Sequence, residues 1–153
     1  MAYPVDGTAR RRIDILAETV AAVLPNFPGC RVLGFSSGIV WIDRGVRVPE
    51  PAGGTALHLA LEVLLPLRPE RIVVISDGEP DDSAAALAAA RRLGCAISTY
   101  YCGDDGNHAA IAFLRALAWC SADGFGRAAV TDLRKPAALE KDIRLALVAP
   151  SPA

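Results

Sequence analysis

The sequence has few of the side chains that enzymes most often use for chemistry. Its 153 residues include only two histidines and four cysteines. The cysteines form no Cys-x-x-Cys pair and have no histidine at the intervals of a zinc site. We therefore expect no structural zinc, and we expect reduced thiols that pack as small apolar side chains. The four are Cys30, Cys95, Cys102 and Cys120.

Long apolar runs, basic stripes and phosphate-binding motifs are also missing. The N-terminus has no apolar segment behind a positive one, and no apolar stretch reaches membrane-spanning length. The formal net charge is −1, and the lysines and arginines are scattered. No glycine-rich phosphate loop or nucleotide fingerprint is present. These features predict a cytoplasmic protein that binds neither membranes nor nucleic acid nor a nucleotide cofactor.

What the sequence does have is enough apolar surface for a sizeable core. Hydrophobic residues make up 52% of the chain and charged residues 22%. A chain of this length buries roughly two thirds of the surface that its unfolded form exposes. The composition predicts one domain over residues 1–148, followed by a disordered, proline-rich tail over residues 149–153.

Segments with helical periodicity alternate with apolar segments that are typical of strands. Proline and glycine mark the ends of these segments. Pro25 ends the first helix, and Gly94 ends an alanine-rich helix. The predicted helices are 13–24, 55 to about 66 or 69, 83–93, 108–120 and 136–148. The predicted strands are 1–5, 31–35, 39–42, 71–76, 96–101 and 128–130.

This alternation predicts an α/β fold with right-handed crossovers between parallel strands. The run from Arg71 to Ser76 has no polar alternation, which is typical of a strand covered on both faces, and we place it at the centre of the sheet. Segments 31–35 and 39–42 read as a hairpin that adds one antiparallel strand at an edge. The prediction is a doubly wound, Rossmann-like, mostly parallel sheet of about six strands with helices on both faces.

Three loops are predicted to meet beyond the carboxyl ends of the strands, where open α/β sheets bind ligands. Asp6 and Thr8 follow the first strand, Thr55 opens a helix, and Asp77 follows the predicted central strand. Two carboxylates and two hydroxyls offer a hard cation such as Mg²⁺ or Mn²⁺ an oxygen-rich, partly open shell. We therefore predict a divalent metal site formed by these four residues.

At these loops the sequence resembles the metal-ion-dependent adhesion site of von Willebrand factor A domains. In that family Asp-x-Ser-x-Ser is followed by a Thr and then by an Asp. Asp6 matches the first carboxylate, and Thr8 replaces the first serine. Thr55 in Gly-Gly-Thr-Ala-Leu matches the threonine, and Asp77 in Ser-Asp-Gly matches the last carboxylate. The resemblance covers essentially the whole chain, and it implies a non-enzymatic domain that binds another protein through an acidic residue.

Arg10 stands where the family has its second serine, and it makes this site unusual. A guanidinium cannot bind a metal, and at an effective dielectric of about 20 it repels a nearby cation by a few kcal/mol. Two arrangements remain open: Arg10 points outward into solvent, or it enters the cavity and neutralises Asp6 and Asp77 itself. In either arrangement Arg10 modulates the site.

Several of these residues also have purely structural explanations. Thr55 is well placed to cap a helix, and Asp77 begins an Asp-Gly turn. Asp81 and Asp82 are expected to be solvated residues at a helix start. The two tryptophans, including Trp119, are expected to pack in the core or at an edge.

Three functions follow from the sequence. The first is a protein-interaction module; the resemblance suggests an AAA-type ATPase or other assembly machinery as its partner. The second is a metal-dependent phosphohydrolase, because Asp6-Gly7-Thr8 and Ser76-Asp77-Gly78 echo motifs of haloacid dehalogenase-like enzymes. Pro4 stands at the position of their nucleophile, which argues against this alternative. The third is a structural subunit with a vestigial metal site.

Overall fold

The computed structural model describes residues 11–42, 53–122 and 126–148. The predicted first strand at residues 1–5, the proline-bearing loop through Pro49 and Pro51, and the tail at 149–153 lie outside the described residues. Within the described ranges, every helix is too short or too polar to cross a membrane.

Five α-helices and five strands make up the described part of the chain. Their bounds agree closely with the sequence periodicity. The helices are α1 (Arg12–Val23), α2 (Leu57–Leu64), α3 (Ser83–Leu93), α4 (His108–Ala118) and α5 (Pro136–Val148). The strands are β1 (Val32–Phe35), β2 (Ile39–Ile42), β3 (Arg71–Ser76), β4 (Ala96–Tyr101) and β5 (Arg127–Val130).

A three-stranded parallel sheet, in the order β3-β4-β5, confirms the α/β class. Among the described strands β4 is central, so the placement of Arg71–Ser76 at the centre was wrong there. β4 is mostly buried although several of its side chains carry hydroxyl groups. These hydroxyls have hydrogen-bond partners inside the fold. Thr99 Oγ1 donates to the Leu114 carbonyl at 2.9 Å and Tyr100 OH to the Asp142 carbonyl at 3.1 Å. Hydrogen bonding removes most of the cost of burying these hydroxyls.

The prediction of one sheet of about six strands is also wrong for the described chain. β1 and β2 pair antiparallel with each other as a separate two-stranded sheet, in the register Val32↔Ile42. The hairpin itself was correctly predicted. Its strands are only partly buried, and they satisfy backbone groups by pairing together rather than by extending the parallel sheet.

Helices cover both faces of the parallel sheet, as predicted. One apolar cluster joins α2, α3 and α4 to β3 and β4, with Leu61, Ile97 and Leu117 almost fully buried. A second cluster joins α1 and α5 to the opposite face, around Ile15 and Leu139. The two clusters hold the ends of the parallel strands, and therefore the loops that follow them, in fixed positions.

Candidate functional site at the carboxyl end of the parallel sheet

The three parallel strands end together at one edge of the sheet. The register pairs Ser76 with Tyr101, and Tyr101 with Val130. Main-chain hydrogen bonds extend this pairing by one residue: Cys102 N–H donates to the Ser76 carbonyl at 2.9 Å, and Thr131 N–H donates to the Tyr101 carbonyl at 2.7 Å. The loops that follow the strands therefore start side by side.

Arg12, the first residue of α1, bridges two of these loops. Its Nη1 lies 3.5 Å from Asp77 Oδ2, in the loop after β3. Its Nη2 donates to Asp104 Oδ1 at 2.9 Å, in the loop after β4. One guanidinium thus faces two carboxylates at the edge where the sequence predicts a metal.

The two ion pairs differ in how strongly water screens them. The Asp104 side chain is 87% exposed, whereas Asp77 is 19% and Arg12 13% exposed. Exposed pairs contribute about 0–1 kcal/mol, so the Asp104 pair is weak despite its short distance. The Arg12–Asp77 pair is better shielded. At an effective dielectric of about 20, unit charges about 4 Å apart attract by about 4 kcal/mol before the cost of desolvation.

Thr55 reaches the same edge through the main chain. Its N–H donates to Asp81 Oδ1 at 2.9 Å, and the Asp81 N–H donates back to the Thr55 carbonyl at 2.9 Å. This reciprocal pair ties the segment before α2 to the loop after β3. Thr55 and Asp77 therefore belong to two loops that are joined to each other.

The turn of the hairpin adds a third strip of chain to this surface. Ala56 N–H donates to the Ser36 carbonyl at 2.6 Å. Gly54 has a φ of 69°, and a Cβ there would meet the Ser37 Cα at 3.0 Å, so only glycine fits this close approach. We call residues 36–38, 53–56, 77–82 and 102–107 the loop rim.

The structure describes two of the four predicted metal ligands, Thr55 and Asp77, and both lie in the loop rim. Asp6, Thr8 and the predicted modulator Arg10 lie outside the described residues, so the convergence of all four stays a prediction. Over 11–42, 53–122 and 126–148, no group of three or more His, Cys, Asp or Glu side chains is arranged to hold a metal ion. Two described carboxylates at this edge, Asp77 and Asp104, have the Arg12 guanidinium as a neighbour.

Sequence reasoning did not single out Arg12, whose guanidinium is the described cation beside Asp77. The prediction that Arg10 modulates the site lies outside the described residues and stays a prediction. The sequence does contain a feature that points to Arg12: a basic residue at a helix N-terminus is unfavourable, because the helix dipole is positive there. A cation at the first position of α1 therefore needs a nearby anion, and Asp77 and Asp104 provide two.

One structural role at the rim differs from that expected. The residue that precedes α2 as its cap is Ala56, not Thr55, and it makes no side-chain cap bond. Asp82 caps α3, with Ala85 N–H donating to its Oδ1 at 2.9 Å. Asp81 and Asp82 are both exposed at the start of α3, as expected, and Asp81 also accepts from the Thr55 N–H. Each acidic residue at this helix start therefore has a specific partner.

Buried hydroxyl and thiol groups under the rim are held in their neutral forms. Burial, and then the negative charge of Asp77, raise the pKa of Cys102 to about 12. Burial and Asp104 raise the pKa of Tyr101, whose hydroxyl donates to the Asp104 carbonyl at 2.9 Å, while Arg12 opposes that rise. Because a thiolate is the reactive form of cysteine, Cys102 is not activated as a nucleophile at neutral pH.

Comparisons with known proteins do not change this picture. No family model matches the chain, and neither the search of curated proteins nor that of solved structures finds a match. The resemblance to von Willebrand factor A domains therefore stays a prediction from sequence motifs. The functional argument depends on the loop rim itself.

Proposed function

We propose that this chain is a non-enzymatic protein-interaction module that binds its partner through the loop rim. The observation that carries the proposal is the position of Arg12, whose guanidinium contacts one shielded and one exposed carboxylate. Such a group offers two parallel donors to an incoming carboxylate. The partner contributes an acidic side chain, as expected from the sequence.

In this proposal Arg12 takes the place of the divalent cation. Asp77 already has a positive neighbour at 3.5 Å, and a hard dication bound there would be repelled by the guanidinium. The described residues therefore do not fit Mg²⁺ or Mn²⁺ unless Arg12 moves. Binding requires no metal, and the partner's carboxylate interacts with the arginine directly.

Asp104 acts as the replaceable anion. Its side chain is 87% exposed, so its ion pair with Arg12 is weakly held and the side chain rotates into water at little cost. The partner's carboxylate then takes its place on Nη2, while Asp77 keeps the guanidinium in position. The rest of the rim supplies shape and main-chain polar groups.

The Arg12–Asp77 pair also favours a second candidate, a structural subunit whose metal site is vestigial. In that case the ion pair only holds α1 on the sheet. The two candidates differ in what Arg12 does for a partner. Removing the guanidinium abolishes partner binding in the first and lowers only stability in the second.

The test is affinity purification from the native host with the wild type, Arg12→Gln and the matched surface variant Arg91→Gln. Arg91 is exposed in the last turn of α3. We expect the wild type and Arg91→Gln to recover the same partner, with or without a chelator, and Arg12→Gln to lose it. Equal recovery by Arg12→Gln, provided that it is folded, contradicts the proposal.

A thermal-shift experiment tests the substitution of arginine for metal. We expect millimolar Mg²⁺ or Mn²⁺ to leave the melting temperature of the wild type unchanged, because ligands stabilise only the proteins that they bind. A rise in the wild type that Asp77→Ala abolishes would show a working metal site. That result would restore the metal-dependent mode of binding.

A further inference from the structure

The edge strand β5 is a second surface that the loop rim does not explain. Its residues, from Arg127 to Val130, are all exposed. Within the described chain it pairs only with β4, so one side of its backbone has no strand neighbour there. Exposed strand edges bind further strands unless charge, proline or a covering element prevents it.

The outward-facing backbone groups of β5 can be assigned from its register. Thr131 N–H donates inward, to the Tyr101 carbonyl. Because backbone groups alternate in direction along a strand, the N–H and C=O of Ala129 also face β4. Those of Ala128 and Val130 therefore face away from the sheet, where they are available to an added strand.

A small apolar groove of about 20 Å³ lies beside this edge, on the face covered by α4. Side chains of α4 and β5 form its walls and Tyr101 contributes from β4, and an added strand would place every second side chain over it. The groove residues used in this argument are Tyr101, Ile111, Leu114, Ala128 and Val130. Trp119, which is 78% exposed, lies next to Ala118, whose carbonyl closely approaches Gly126 at the start of β5.

Two exposed arginines lie at this edge, on opposite faces of the sheet. Arg115 lines the groove on the α4 face, whereas the side chain of Arg127 alternates with that of Ala128 and lies on the face of Tyr100. Neither arginine forms an ion pair among the described residues. A second copy of the chain paired along this edge would bring these like charges together, whereas an acidic segment would find opposite charges there.

We propose that β5 binds an extended acidic segment of a partner protein, which adds as a strand to the parallel sheet. Main-chain hydrogen bonds to Ala128 and Val130 supply affinity. Apolar side chains of the segment lie over the groove on the α4 face, and the carboxylates that alternate with them lie on the opposite face, beside Arg127. This surface is distinct from the loop rim, so the inference does not depend on the function proposed for Arg12.

The test uses fluorescein-labelled peptides of alternating Glu and Val, or of alternating Lys and Val, and measures fluorescence anisotropy with the full chain. We expect the Glu peptide to bind more tightly than the Lys peptide. Ala128→Pro removes an outward N–H that β4 does not use, and edge strands tolerate proline at such a position. It should weaken binding of the Glu peptide about fivefold or more, whereas Ala128→Ser, which keeps the N–H, should not.

A charge-reversed variant keeps the test decisive if Ala128→Pro does not fold. Arg127→Glu should reverse the preference, so that the Lys peptide binds more tightly. Equal binding of both peptides to the wild type, or no effect of Ala128→Pro in a folded protein, would overturn the proposal. Sedimentation showing a dimer that Ala128→Pro abolishes would also overturn it, because the edge would then bind a second copy.

Discussion

Thr55 and Asp81 are joined by two hydrogen bonds that run in opposite directions, each 2.9 Å long. The first uses the Asp81 carboxylate and the Thr55 amide, and the second uses the Asp81 amide and the Thr55 carbonyl. The pair connects the segment before α2 to the loop after β3, across 26 residues of chain. The two loops that carry Thr55 and Asp77 thus form one unit.

Asp81→Ala should loosen this unit by leaving the Thr55 amide without its side-chain acceptor. We expect the free energy of unfolding to fall by about 1 kcal/mol, which lowers the melting temperature of a chain of this size by about 2–4 °C. Thermal unfolding followed by circular dichroism measures the change. Asp105→Ala is the matched control, because Asp105 is an exposed loop residue with no hydrogen bond among the described residues. Equal melting temperatures would mean that the carboxylate contact adds nothing.

Asp82→Ala should weaken α3 at its N-terminus. The Asp82 carboxylate accepts from the Ala85 N–H at 2.9 Å, and loss of such a cap costs about 0.5–2 kcal/mol. Urea unfolding measures the loss. Asp82→Asn keeps an acceptor in the same place and should retain most of the stability. If both variants lose the same amount, the charge at the helix start matters rather than the cap bond.

Gly103→Ala should lower the stability of the protein more than Gly78→Ala, another substitution in the loop rim. A Cβ at this position would lie 2.5 Å from both the Asp77 carbonyl and the Tyr101 hydroxyl, and the backbone carbonyl cannot move aside cheaply. Overpacking of this kind costs about 1–3 kcal/mol. Gly78→Ala, which would meet nothing within 4 Å, should be nearly neutral. Chemical denaturation of the two variants gives the comparison, and equal stabilities would contradict the close packing of the two loops.

Stability should fall as the pH rises above about 9, because burial raises the pKa of Cys102 from 9.0 to about 12. The unfolded chain then loses the thiol proton while the folded chain keeps it, so the slope is negative and reaches about 1.4 kcal/mol per pH unit at most. The raised pKa values of Tyr100 and Tyr101 act in the same direction at higher pH.

Urea unfolding between about pH 8 and 10 measures this dependence. Cys102→Ala removes the titrating thiol and should show a shallower decline than the wild type over the same range. If the free energy of unfolding falls equally with pH in the two proteins, the buried thiol is not the cause of the loss of stability at high pH. Native Cys102 should also resist thiol reagents until the protein unfolds.

Much of the local structure was predictable from the chain alone. The bounds of α3, β3 and β4 were predicted to the residue, because apolar periodicity and the left-handed stop at Gly94 act over a few neighbouring residues. The assembly of the strands was less predictable. The central position of β4 among the described strands was not predicted, since its hydroxyls find acceptors on α4, α5 and the following loop only after folding.

The sequence predicted where the loops of the candidate site lie, but not which side chains contact each other there. An edge of loops beyond the strand ends follows from the α/β pattern, and Thr55 and Asp77 both lie there. The contact of Arg12 with Asp77 and Asp104 was not foreseen, because the Arg12–Asp104 pair joins residues 92 positions apart. No pattern of spacing encodes such a pair.

The sequence by itself determined which segments are helices and which are strands, because those choices depend on hydrogen bonds and side-chain patterns within a few residues. Only the tertiary structure decided that Arg12 faces Asp77 and that, among the described strands, the hairpin stands apart from the parallel sheet and β5 has one neighbour. These features depend on which distant surfaces pack together. Packing is set by the summed burial of many side chains, and no single segment carries that information.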